Sequence, residues 1–150
     1  MSILSILIYP DENLRKKAEL VSDKENLNEI NIFVKNMFDT MYYYNGIGLS
    51  ATQVNIHKQI ITIDIDNNKI VLINPIIKNK KGYVSFCEGC LSIPNFFLNI
   101  IRYKNIEIEY LDIDLKKKKL KASNILSSCI QHEIDHLYGI LIIDHLKKNK

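Results

Sequence analysis

The 150-residue sequence predicts an α+β fold, with strands in the middle of the chain and a helix on either side. Three stretches predict it. Residues 23–44, DKENLNEINIFVKNMFDTMYYY, set Leu27, Ile30, Val34, Met37, Met41 and Tyr44 at three- and four-residue steps, which gathers one apolar stripe on a helix. Residues 105–114, NIEIEYLDID, alternate almost strictly, as a half-buried antiparallel strand does. Residues 123–137 read as the second helix.

The elements follow in chain order. PDENLRKK, from Pro10, suits a short capped helix. Ser22 or Asp23 can cap the helix at 23–44, and Gly46 can end it. GIGLSATQ, residues 46–53, reads as a loop with two glycines. Gln59–Asp64, Ile70–Ile77 and Tyr83–Phe86 are short β-rich runs, and CEGCLSIPNFF at 87–97 reads as a loop. The lysine run 116–119 is expected to be a turn or the exposed face of a hairpin. Ile140–Ile143 is a short apolar run, and HLKKNK is expected to be a frayed basic end. No repeat or linker divides the chain, so residues 1–150 are expected to form one domain.

Composition narrows the function. Apolar residues at 47% and charged residues at 25% are in the globular range. A net charge of +3 with only Arg15 and Arg102 as arginines argues against direct nucleic-acid recognition. The apolar opening MSILSILIYP is too short for a signal or a membrane span and lacks a basic leader. A reducing cytoplasmic setting without membrane attachment is therefore expected. There Cys87, Cys90 and Cys129 suggest metal or nucleophile chemistry before disulfides.

QHEIDH, residues 131–136, supplies the chemistry. His132 and His136 are four apart and share a helix face, with Glu133 about 100° round from His132. In an H-E-x-x-H helix the imidazoles ligate a metal and the carboxylate works on its bound water. Asp135 is available to orient a ligating imidazole. Two histidines need a third protein ligand. Metzincins take a His six residues after the second, where this chain has Ile142. Thermolysin-like enzymes take a distant downstream Glu, and none of the 14 residues after His136 is Glu. The ligand must lie upstream. Cys129 shares the helix stripe and would approach from the same side, so it reads as a pocket wall or a core residue. His57 lies in a polar stretch and reads as a surface residue. The CEGCLSIP loop remains: Cys90 can point its thiolate at the helix, while a second thiolate from Cys87, in C-x-x-C spacing, would fill the open position.

GIGLSATQ, EGCLSIP at 88–94 and QHEIDH, in that order and at these separations, resemble the three motifs of the peptide deformylases. YPDENLRKKA, MFDTMY and VLINP extend the resemblance over nearly the whole chain. It implies antiparallel or mixed β-sheets packed around a central C-terminal metal-binding helix. It also implies one divalent ion held by Cys90, His132 and His136, usually Fe2+, with Zn2+, Ni2+ or Co2+ able to substitute. Glu133 matches the acid/base, and Gln53 and the Leu91 backbone N–H match the oxyanion donors. Ile47, Gly48 and Gly89 match backbone positions that bind the substrate as an added strand. Ile125, Ser128 and Cys129 can line a methionine pocket. The implied reaction removes formyl from the N-terminal formylmethionine of nascent polypeptides, with a transient ribosome contact in some members.

Several positions depart from the family pattern. Phe97 stands where relatives commonly have Arg, Ser128 where the residue is usually apolar, and Cys87 is unusual beside its motif. Arg102 can pair with Glu88 and fix the segment carrying Cys90. Two other readings predict different outcomes. An endopeptidase would fragment unformylated peptides, and a purely structural metal would take four protein ligands.

Overall fold

Helix α1, Leu27–Tyr43, forms where the apolar stripe predicts it, but starts four residues late. Asn26 is the cap, its side chain accepting the Glu29 N–H at 3.1 Å. Residues 22–25 form a turn instead, in which Glu25 accepts the Ser22 N–H and pairs with Lys58. At the far end Asn45, at φ 58°, makes the left-handed turn, and Gly46 donates to the Met41 carbonyl. Before α1, a 3-10 turn Glu12–Arg15 is capped by Asp11, as the PDENLRKK stretch predicts.

The chain is described here by a computed structural model covering residues 2–147. Five strands form one antiparallel sheet in sequence order: β1 Gly48–Ser50, β2 Ile60–Ile65, β3 Asn68–Cys90, β4 Ile93–Leu111 and β5 Lys117–Ser123. Among the described residues every strand pair in it is antiparallel, and Glu19 and Lys58 form an isolated parallel bridge outside it. Register shifts at Ile73/Ile76, Ile77/Asn79 and Glu88/Cys90 interrupt the long β3–β4 pair.

Three expectations need correction. GIGLSATQ is not a loop throughout: Gly48–Ser50 pair with β2 and Ala51–Val54 form a 3-10 turn. Buried Leu49, Ser50 and Ala51 hold it, and the glycines hide this in the sequence. The 87–97 segment is also not a loop. β3 runs through Cys90, and β4 restarts at Ile93 after the two-residue turn Leu91–Ser92. The strand expected at 105–114 stops at Leu111, because the Asp112 side chain accepts the N–H groups of Asp114 and Lys116 and turns the chain. The lysine run is the exposed face of a hairpin, with Lys117–Lys119 in β5 opposite β4.

Helix α2, Asn124–Leu137, packs on β1, β2, β4 and β5. β2 is buried on both faces. Ile60 joins a core with α1 residues Ile30, Val34, Met37 and Met41, while Ile61 and Ile63 join a second core with Ile106, Ile108, Ile130 and Leu137. The sheet thus separates the two helices and seats α2 in the centre of the molecule. Burying each such side chain contributes about 1.5–3 kcal/mol. A 3-10 turn, Ile142–Lys147, follows α2, and Arg15 binds Asp144 and the Gly139 carbonyl across it. The expected frayed end is therefore ordered as far as Lys147, and its last three residues, 148–150, lie outside the described residues.

Candidate metal centre and active site

β3 delivers Cys90 to the face of α2 that carries His132 and His136. One donor atom from each of the three lies within 4.8 Å of the others. Cys90 Sγ is 3.3 Å from His136 Nε2. Tetrahedral bonds of ~2.0–2.3 Å put neighbouring donors about 3.5 Å apart, so this set fits one ion. Two imidazoles and a thiolate are also the donor types a first-row divalent metal takes, and they leave a fourth position free.

The donors are held from behind. His132 Nδ1 lies 2.9 Å from Glu88 Oε1, which leaves Nε2 as its donor atom. Arg102 grips Glu88 with two bonds, Nε to Oε2 at 2.6 Å and Nη2 to Oε1 at 2.9 Å. The third arm of Arg102 reaches Asp135 at 3.0 Å. Arg102 is buried, and removing one partner of such a pair costs about 3–5 kcal/mol, because the other charge stays buried alone. The pairing read from the sequence between Arg102 and Glu88 is present. The role offered to Asp135 is not: it binds Arg102 and His145, and Glu88 orients the imidazole. His136 Nδ1 is buried with no hydrogen-bond partner among the described residues.

Glu133 is 3% exposed, and its Oε1 has no partner among the described residues. Burial pushes its carboxyl up to about 7, against the opposing pull of His132. Burial would strip the proton from His132, but the negative charge of Glu133, with Cys90 and Glu88, raises it to about 10. His136 moves the other way, well below its ordinary value, through burial and the charge on His132. The opposite shifts of the two imidazoles reflect burial and their mutual repulsion, which disfavour charging both at once.

Gln53 is pinned by its neighbours. Its Oε1 accepts the Ser50 N–H at 3.0 Å, and its Nε2 donates to Ser92 Oγ at 3.1 Å and lies 3.6 Å from Cys90 Sγ. A cavity of about 560 Å³ opens in front of Cys90, His132 and Glu133. Ile47, Gly48, Gly89, Leu91, Ile125, Ser128 and Cys129 all line it, and Gln53 and His136 are buried next to its lining residue Cys90. Ile125 is 49% exposed, so it is a wall residue and not core packing. Cys129 is both wall and core, and its burial pushes the thiol well up. Cys87 is exposed at the cavity, outside the donor set, and His57 sits apart beside Asn55. Gly48 lies against Glu133: a Cβ there would come within 2.7 Å of Glu133 Oε2 and 2.9 Å of Cys129 Sγ.

Sequence reasoning missed Glu88 as the partner of His132, and Ser50 and Ser92 as the anchors of Gln53. Glu88 was legible in principle. In a strand, residues two apart share a face, so extending β3 through Cys90 would have set Glu88 beside it.

A buried carboxylate next to a three-donor metal site with an open position is equipped to move a proton while water attacks a carbonyl. On this α+β scaffold the fold and site are those of a metal-dependent hydrolase. Comparison with known proteins narrows the class. The family model described as polypeptide deformylase matches residues 3–150, and the chain belongs to that family. The peptide deformylase of Blochmanniella pennsylvanica is 49% identical over all of this chain and 87% of its own length. That of Wigglesworthia glossinidia brevipalpis is 48% identical over all of this chain and 99% of its own. Among solved structures, the Thermotoga maritima peptide deformylase superposes with a TM-score of 0.91 at 33% identity, covering 96% of this chain and 97% of its own. The Synechococcus elongatus peptide deformylase in complex with actinonin gives 0.89 at 40% identity, covering 94% and 77%.

Proposed function

We propose that this chain, as one catalytic domain, removes the formyl group from the N-terminal formylmethionine of newly made polypeptides and releases formate. The observation that carries the reading is the meeting of Cys90, His132 and His136 beside buried Glu133, whose Oε1 has no hydrogen-bond partner among the described residues, at a cavity wall.

When bound by these three residues, a divalent ion acidifies water and polarises the formyl carbonyl. The protein does the rest. Glu133 takes a proton from water and delivers it to the departing amine. The Gln53 amide and the Leu91 backbone N–H stabilise the oxygen as its charge develops; losing one such donor costs about 2.7–4 kcal/mol. β1 is an edge strand whose partner is β2, so the backbone at Gly48 can pair with an incoming extended peptide, with Gly89 on the other side and Ile47, whose carbonyl already accepts the Asp64 N–H at 2.9 Å, flanking it. The methionine side chain enters the cavity beside Ile125, Ser128 and Cys129. We assign Fe2+ as the resident ion, with Zn2+, Ni2+ and Co2+ as substitutes. The reading extends to a reducing compartment, where a thiolate ligand persists, and to transient contact with the ribosome, where the substrate emerges. No described helix is long and apolar enough to cross a membrane.

Protein purified without oxygen is expected to release formate from a formyl-Met peptide, to lose that activity to a chelator and to regain it with Fe2+. Fragmentation of unformylated peptides would overturn the assignment. Gly48→Ala provides a second expectation. Its methyl group must displace Glu133 or Cys129, and a misplacement of about 1 Å can cost ~10²-fold in rate. The fall should appear in kcat for formate release, with bound metal unchanged.

A further inference from the structure

Behind the donor set, a line of charged side chains runs outward to the turn that follows α2. Glu88 Oε1 is shared: it accepts Arg102 Nη2 at 2.9 Å and lies 2.9 Å from His132 Nδ1. The guanidinium therefore sets where this carboxylate sits, and the carboxylate sets the His132 ring. Asp135 holds Arg102 in turn, its Oδ2 accepting Nη1 at 3.0 Å. The same Oδ2 lies 3.2 Å from His145 Nε2. An ionised carboxylate only accepts, so this ring nitrogen donates.

His145 reaches Asp135 because the chain folds back after α2. Gly139, at φ 75°, turns it. Asp144 then pins the 3-10 turn Ile142–Lys147, accepting the Leu141 N–H at 2.9 Å and pairing with Arg15. His145 is not among the residues lining the cavity, and Asp135, Arg102 and Glu88 stand between it and His132. The Asp135 side chain is 25% exposed and that of Arg102 only 4%. Without His145 the Asp135 carboxylate is free to turn to water, where buried Arg102 cannot follow. One guanidinium arm then loses its acceptor, and its grip on Glu88 shifts.

We infer that His145 is a positioning residue for the metal centre: it holds Asp135 on Arg102, and so fixes Glu88 and the His132 imidazole. The inference rests on the metal-dependent deformylase reading. Changing a group bonded directly to a ligating imidazole weakens metal binding about 10–100-fold. His145 acts from further out, so the expected effect is at the low end of that range.

The chain loaded with Co2+ tests this. Loss of the ion to a chelator reports the hold on it, and the visible absorption of the cobalt–thiolate centre reports the ligand geometry. His145→Phe keeps a ring in the turn without a donor, whereas His145→Gln keeps a donor near the Nε2 position. His145→Phe should release Co2+ about tenfold faster than wild type and shift the absorption, and His145→Gln should restore both. Asp135→Ala should release the ion at least as fast, and adding His145→Phe to it should change nothing further. Wild-type release and absorption in His145→Phe, with only a lower unfolding temperature of the metal-free chain, would overturn the inference, because His145 would then merely pack the turn. So would a His145→Gln variant no better than His145→Phe, or a further loss in the double variant, because the effect would not pass through the bond to Asp135. A wild-type chain that binds no Co2+ would sink the metal centre and this inference with it. Tightly held Co2+ without formate from a formyl-Met peptide would sink the deformylase reading alone, since the release rates judge His145 without it.

Discussion

Glu133→Ala should keep the metal and lose ~10²–10⁴-fold in formate release, the usual share of a positioned acid/base. The expectation follows from what the carboxylate touches. One oxygen has no partner among the described residues, and the other lies 3.9 Å from His132 Nε2. Deleting the side chain leaves Cys90, His132 and His136 in place, so metal content by elemental analysis should stay near one ion per chain. The sign of the pH dependence follows from burial. The carboxyl group is pushed up to about 7, so its protonated form dominates below that pH, where it cannot accept a proton from water. A divalent ion beside the carboxyl pulls it back down, so activity should rise with pH along a limb on the acid side of 7, and that limb should vanish in any residual Glu133→Ala activity. Undiminished turnover in the variant would remove Glu133 from the reaction.

Cys90→Ala should do the reverse and lose the ion first. A site of this type binds with apparent free energies of about 10–16 kcal/mol, or roughly 2.5–4 kcal/mol per ligand when shared over four. Losing one ligand then weakens binding by about 10²–10³-fold. Formate release should fall with metal content, and added Fe2+ should restore only part of it. Folding should survive, because Cys90 pairs through its backbone with Ile93 and the Arg102–Glu88–His132 chain still ties β4, β3 and α2 together. Full metal content in Cys90→Ala would mean that another residue completes the donor set.

Periodic segments were the legible ones. The α1 stripe, the alternation in NIEIEYLDID and the H-E-x-x-H helix each announce their geometry within a few residues. Segments whose geometry depends on distant partners were not. GLS, residues 48–50, is a strand only because β2 lies beside it, and CEGC extends β3 only because β4 folds back on it. Glycine and proline mark turns when read locally, but here Gly48 and Gly89 serve close approach to Glu133 and Phe97. The same blindness exchanged Glu88 for Asp135 behind His132. Asp135 is the sequence neighbour, and Glu88 becomes one only when the β3–β4 ribbon crosses α2. The candidate site residues could be named from motifs. Which of them line the cavity, and which are buried beside a lining residue, needed the packing.

The two borders of the sheet are unlike. β1 leaves a short, bare margin next to the reaction chamber, while β5 fences the opposite margin with Lys117, Lys118, Lys119 and Lys121. Clients of a deformylase arrive unfolded, with unsatisfied backbone along their whole length, and any bare sheet margin would capture them indiscriminately. Ammonium groups along one side disfavour such stray pairing, which leaves the β1 side, beside Cys90, His132 and His136, as the margin open to the docking proposed above.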